Sequence, residues 1–272
     1  PQSCSLTNSN GCDSTAILNL TINQSDTSYT NITACDSVVW NGTTYDSSGV
    51  YSYSGGASNN YSLDFSGTNN YVEVPDNSNY DFGLNQDFTV STWFKTDESY
   101  FGLHALVAHA DNNGTSPVAG WQLGFTHDYG GSLIFNISDV TGQNIYLWGG
   151  QGNMYADNTW HNVTLVLDQD NNGSITLYVD GIFESNWVGN LSIDASSNAN
   201  LLIGLDRTYS NSINDYIDNT SLWNQALTQS EIQQYMNCPP TGSEAGLVGY
   251  WNFEEGSGAV AGDQTSNGND GT

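Results

Sequence analysis

Residues 160–181 read WHNVTLVLDQDNNGSITLYVDG. Apolar and polar residues alternate from Trp160 to Leu167 and again from Ser174 to Val179. Between the two runs, Asp168-Gln169-Asp170-Asn171-Asn172-Gly173 is made of turn-forming residues. Two alternating runs joined by such a spacer predict a β-hairpin with one buried and one wet face. The same period recurs in Phe88-Thr89-Val90-Ser91-Thr92-Trp93-Phe94 and in Leu133-Ile134-Phe135-Asn136-Ile137. Repeated half-buried strands predict an all-β chain whose antiparallel sheets stack as a sandwich. One short helix is expected after Leu227, where Thr228 at the N-cap and Glu231 three residues on have capping-box spacing.

Five blocks stand in order along the chain: SLDFSGTNNYVEVPD (62–76), DFTVSTWFKTD (87–97), the hairpin itself, LLIG (201–204) and DYIDNTSLWNQALTQSEI (215–232). In that order they resemble the laminin-G-like, concanavalin A-like jelly-roll family common in bacterial surface proteins. The resemblance spans residues 61–235 and implies a jelly-roll sandwich over residues 57–237. It implies function only loosely, because the family includes lectins, adhesion modules and non-catalytic appendages of enzymes. Trp93, Trp160 and Trp223 fall in matching blocks and are expected in the core.

Composition excludes several partner classes. Lys and Arg total 2 against 29 Asp plus Glu, for a net charge of −27 and a pI near 4.1. No cation set exists to neutralise phosphates, so nucleic acid is not an expected partner. An anionic membrane surface is disfavoured for the same reason, and no apolar run is long enough for membrane insertion. Self-repulsion of this size favours a medium whose salt or calcium offsets it, such as sea water. The chain opens on Pro1-Gln2-Ser3-Cys4 without a signal peptide. A mature fragment or a slice of a longer chain, extracellular or at the cell surface, is the expectation.

Residues 1–56 form a separate small β region. Cys12-Asp13-Ser14 and Cys35-Asp36-Ser37 each precede an alternating strand, and the second leads into Trp40-Asn41-Gly42-Thr43-Thr44-Tyr45. These resemble Cys-Asp-Ser modules that occur in tandem in giant secreted proteins of the Bacteroidetes. In that pattern the Trp-Asn-Gly half comes first; here the closing half, residues 4–23, precedes the opening half, residues 35–53. One period of a tandem array, cut out of phase with the sandwich inserted between the halves, accounts for this order. A natural chain with ragged ends is the alternative. Segment 238–272 would lead to the next repeat. Cys4, Cys12, Cys35 and Cys238 fit no zinc spacing, and a secreted β protein favours disulfides. Under the array reading, Cys35 would pair with the next period's equivalent of Cys12, and Cys238 with the equivalent of Cys4.

No catalytic set is expected. The acidic clusters Asp97-Glu98, Glu254-Glu255 and Asp215 with Asp218 lack the alternating carboxylates that glycosidases of this fold carry. His104, His109, His127 and His161 lack a nucleophile partner and read as satisfied surface or core residues. Calcium is the expected cofactor. Asp168, Asp170 and Asn172 make the first half of a calcium loop without a Glu at the twelfth position, and an ordinary hairpin turn is the favoured account of them. Asp64 with Asp215 and Asp218 would tie the first strand to the last, with solvated surface carboxylates as the equal alternative. Asp111-Asn112-Asn113-Gly114 is a weaker third loop.

Glycan binding would need exposed aromatics, and the chain has 8 Trp and 16 Tyr. Tyr129, Trp148, Trp187 and Tyr209 stand beside Gly, Asn or Ser and are the candidates for a loop-end site, against ordinary packing under long loops. Asp13-Ser14-Thr15 and Asp36-Ser37-Val38 resemble O-glycosylation sites of the Bacteroidetes. The leading expectation is a non-catalytic repeat unit of a large extracellular structural or adhesive protein, able to form filaments, whose partners are neighbouring repeats or copies of itself. A carbohydrate-binding, lectin-like module is the alternative, and a hydrolase with an unfamiliar acid pair stands third.

Overall fold

The structure, a computed structural model, describes residues 2–7, 13–18, 38–40, 43–45, 59, 61–65, 70–96, 103–110, 119–126, 132–150, 155–170, 173–189, 192–206 and 216–272. Two units are distinguished, residues 1–54 and 55–272. The first contributes two antiparallel hairpins, β1 (Gln2–Thr7) with β2 (Asp13–Leu18), and β3 (Val38–Trp40) with β4 (Thr43–Tyr45). Cys4 lies in β1 opposite Ala16. Cys12 and Cys35 lie outside the described residues.

The second unit is a sandwich of two antiparallel sheets, as the alternation predicts. Its strands are β5 (Leu63–Asp64), β6 (Val72–Val74), β7 (Phe88–Lys95), β8 (Leu103–Ala110), β9 (Gly120–Thr126), β10 (Ser132–Ser138), β11 (Asn144–Gly149), β12 (His161–Asp168), β13 (Ser174–Val179), β14 (Ile182–Val188), β15 (Leu201–Ile203), β16 (Tyr216–Trp223) and β17 (Leu247–Trp251). A six-stranded sheet runs β11-β10-β9-β8-β15-β6. A seven-stranded sheet runs β14-β13-β12-β7-β16-β17, with β5 also on β16. The hairpin at 160–181 forms in register, Val163 opposite Val179 and Asp168 opposite Ser174.

The inward phase of each strand fills one core. Phe88, Val90 and Phe94 of β7, Val163, Leu165 and Leu167 of β12, and Leu133, Phe135 and Ile137 of β10 meet there. Each such side chain contributes about 1.5–3 kcal/mol on burial. A helix, α1 (Gln229–Asn237), covers part of the outer face of the seven-stranded sheet, over Val166, Trp223, Leu247 and Tyr250. It begins as expected: Thr228 Oγ1 accepts from Glu231 N–H, and the Glu231 carboxylate accepts from Thr228 N–H at 2.8 Å. Cys238, its C-cap, is an exposed free thiol.

Residues 238–272 are built into the sandwich. β17 pairs with β16, and Trp251 and Phe253 enter the main core. The last residue, Thr272, exchanges both backbone hydrogen bonds with Glu73 of β6, at 2.9 and 3.0 Å. The segment therefore reaches from the edge of one sheet to the edge of the other.

Candidate functional site

With Phe88, Val90 and Phe94 committed to the core, Ser91, Trp93 and Lys95 face outward from β7. Strand pairing extends this row across the sheet. Trp93 stands opposite Asp218 of β16 and Asn162 of β12, and Lys95 stands opposite Tyr216. Beyond the cover of α1 lies an open pocket of about 390 Å³, lined by Asn59, Tyr61, Ser62, Trp93, Trp160 and Asp218. Tyr61 is 53% exposed and Trp160 38%. The Trp160 ring meets Tyr216 edge-on, centroids 6.4 Å apart. The Lys95 ammonium lies 5.6 Å from the centroid of the Tyr216 ring, within cation–π range. Tyr61 is held by its N–H, which donates to Glu254 Oε1 at 3.0 Å.

A bulge in β16 shapes the floor of this pocket. The register against β7 shifts between Asp218 and Ser221, and Asn219 adopts φ of 46°. Bulges re-aim side chains and end regular pairing. Asn219 N–H donates to Asp218 Oδ1 at 2.8 Å, and the Tyr250 hydroxyl donates to the Asn219 side-chain oxygen. The Thr92 and Thr220 hydroxyls meet at 2.8 Å beneath the bulge. Asp218 is buried, and burial is the main reason its pKa is pushed up to about 6. The nearby Glu254 carboxylate pushes in the same direction, and hydrogen bonds from Asn59 and Asn219 oppose it. Flat aromatic surfaces beside a few amide and carboxyl groups suit a ligand with one apolar face and hydroxyls at its rim.

The tryptophans expected in the core divide. Trp223 is buried, but Trp93 is only half-buried and Trp160 is exposed. The correction has a simple cause: Trp93 shares the polar phase of its strand with Ser91 and Lys95, and Trp160 shares that of Asn162 and Thr164. That phase was the signal that could have found the pocket. Trp148 lies on β11, its ring stacked on Tyr146 at 6.3 Å, and Trp187 of β14 packs against the main core. Neither lines the pocket. Tyr129 and Tyr209 lie outside the described residues.

Among the expected cation ligands, Asp64 and Asp218 come from strands that do pair, since β5 lies against β16 with Asp64 opposite Tyr216. Asp168 and Asp170 flank the hairpin turn, where Gln169 N–H donates to Asp87 Oδ1 at 2.7 Å. Asp215 and Asn172 lie outside the described residues. Among the described residues, one set of three or more side chains brings potential ligand atoms together, and it is Asp76, Asp81 and His109. His161 is held by Asp180 at 2.8 Å and Asp157 at 3.2 Å, in keeping with the expected satisfied histidine.

A candidate carbohydrate binding protein from Bacteroides ovatus superposes with a TM-score of 0.57 at 18% identity, covering 74% of this chain and 55% of that one. The binding domain of Paraclostridial Mosquitocidal Protein 1 superposes with a TM-score of 0.50 at 23% identity, covering 65% and 42%. The chain thus spans about half the length of these solved structures, and at such identities they support the fold alone. No curated protein matches the sequence. The family described as the Concanavalin A-like lectin/glucanases superfamily matches residues 66–233. With its two stacked antiparallel sheets and a match over more than half its length, the chain belongs to the Concanavalin A-like lectin/glucanases superfamily.

Proposed function

We propose that the chain is a non-catalytic glycan-binding module acting outside the cell, with its site in the pocket between Tyr61, Trp93, Trp160 and Asp218. The observation that carries this reading is the aromatic wall itself. Tyr61 and Trp160 are exposed large rings beside a polar floor, with the exposed Tyr216 ring edge-on to Trp160. Rings take the C–H face of a sugar, while Asn59 and Asp218 take hydroxyls. Charge narrows the ligand. Asp218 and Glu254 lie at the pocket, so neutral glycans fit and uronic or sulfated ones meet like charge. No helix among the described residues is long and apolar enough to cross a membrane.

The test is calorimetric titration with neutral β-linked and α-linked oligosaccharides, with reducing-sugar release followed on the same samples. Saturable binding without turnover is expected. Release of sugar that is lost in Asp218→Asn would convert the reading to a hydrolase using Asp218 and Glu254, and absence of binding across the panel would sink it.

A second reading, a repeat of an extracellular array, is favoured by one observation: Cys238 is exposed and free, as a cross-repeat bridge would require. Non-reducing electrophoresis tests it. Covalent ladders lost in Cys238→Ser support it, and a single monomer band removes it.

A further inference from the structure

His109 is fully buried on β8, yet neither ring nitrogen has a partner in good hydrogen-bond geometry, the Ala199 backbone and Asp76 being near but not well placed. A buried imidazole usually donates or accepts at both nitrogens, and leaving one unsatisfied costs about 1–3 kcal/mol. Its Nε2 points at two carboxylates without reaching either. Asp76 Oδ1 is 3.8 Å away and Asp81 Oδ1 4.0 Å, both too long for a hydrogen bond. The three potential ligand atoms all lie within 4.8 Å of one another.

We infer that Asp76, Asp81 and His109 form a binding site for a divalent metal ion of the zinc type. The donor set decides the class. Calcium takes oxygen ligands, whereas imidazole with carboxylates suits zinc and its first-row neighbours. Tetrahedral bonds of about 2.0–2.1 Å put neighbouring donors about 3.4 Å apart, so the 3.8 and 4.0 Å His–Asp spacings need to close by about half an ångström and the two carboxylates by no more than about 1.4 Å. Solvent completes the shell, because the Asp76 and Asp81 side chains are partly exposed and give the ion a way in.

The surrounding contacts hold the ligands in place. Asp81 Oδ1 accepts from Ser197 N–H at 3.0 Å, and Asp76 N–H donates to Asn200 Oδ1 at 3.0 Å. The Tyr80 ring meets His109 edge-on at 5.2 Å, with its hydroxyl anchored on the Pro75 carbonyl. Such outer contacts commonly fix the orientation of metal ligands. An ion here would pin the segment between β6 and β7 to β8, at the end of the sandwich where Thr272 closes on Glu73. The site is independent of the aromatic pocket, so each stands or falls alone.

The test titrates zinc chloride, and calcium chloride in parallel, into the metal-free full chain. Calorimetry and thermal unfolding are read for wild type, Asp76→Asn, Asp81→Asn and His109→Gln. The two Asn variants retain an acceptor oxygen at partly exposed positions, so they report even if His109→Gln misfolds. One tight zinc site is expected, with affinity at least tenfold lower in each Asn variant and no matching effect of calcium. Zinc binding of unchanged affinity in Asp76→Asn and Asp81→Asn would assign the ion to cysteines or diffuse surface charge and overturn the proposal. So would the absence of zinc binding.

Discussion

Trp93 on β7 stands directly opposite Asp218 on β16, so an indole and a buried carboxyl share the outer face of one strand pair. Burial raises the Asp218 pKa from 3.8 to about 6. Between those values the folded chain keeps a proton that the unfolded chain has released. Raising the pH through this window therefore lowers stability, and above pH 6 the penalty is present in full. It amounts to about 2–3 kcal/mol. Asp218→Asn keeps the acceptor for Asn219 N–H and removes the charge. Urea unfolding should find the variant more stable than wild type by about that amount at pH 7.5 and nearly equal to it at pH 4. Calcium that stabilised wild type but not Asp218→Asn would reverse the sign at neutral pH and give the carboxylate the ligand role expected from the sequence.

The glycan reading makes Trp160 and Trp148 unequal. Trp160 lines the pocket beside Tyr216, while Trp148 stacks on Tyr146 on the other sheet. Loss of a stacking indole costs about 1–3 kcal/mol, roughly 5- to 150-fold in affinity. Trp160→Ala should lose that much toward any neutral glycan bound by wild type, and Trp148→Ala should bind as wild type does. The reverse pattern would return the ligand to the residues singled out by sequence.

The fold was legible because strand pattern is local. Alternation at 88–94, 133–137 and 160–179 needs no knowledge of partners, and Thr228 with Glu231 announces a helix start within four residues. The pocket was not, because its parts come from positions 59, 61, 62, 93, 160 and 218, and only strand order brings them together. Family position argued for a core Trp93 where its own strand phase argued for the surface, and the phase decided. His109 was hidden differently. A lone histidine in a strand carries no mark of whether its nitrogens find partners, and Asp76 and Asp81 reach it only through the turn that follows β6.

Helix α1 should depend on its first turn. Glu231 is held below the usual carboxylate range by hydrogen bonds from the Thr228 backbone and then its hydroxyl. The stability this gives is present above the unfolded pKa and is lost as pH falls through the folded one. Thr228→Ala removes both hydroxyl contacts and should cost about 1 kcal/mol at pH 7. The loss should shrink as the pH falls through the lowered folded pKa, below which Glu231 is protonated in both forms. A cost that is the same at pH 7 and pH 3.5 would show that the cap acts without the charge.

The C-terminal segment gives the sharpest test of where the sandwich ends. By sequence it closes at residue 237, but β17 is buried at all five positions. Trp251 is fully buried, with its indole N–H donating to the Asn269 carbonyl at 2.9 Å. The Asp263 carboxylate accepts from Tyr250 N–H, Thr265 N–H, Thr265 Oγ1 and Asn269 N–H. Deleting one buried Trp costs about 3–5 kcal/mol, against about 5–15 kcal/mol for a whole domain. Removing Trp251, Phe253 and the strand beside β16 together exceeds that margin and bares a sheet edge. A chain of residues 55–237 should therefore be aggregated or lack cooperative unfolding, whereas one of residues 55–272 should unfold in a single transition. Asp263→Ala in the longer chain should still fold, with a loss of about 2–3 kcal/mol from its four donors. If the shorter chain unfolded cooperatively at the same urea midpoint, the segment would be an appendage and the boundary at 237 would stand.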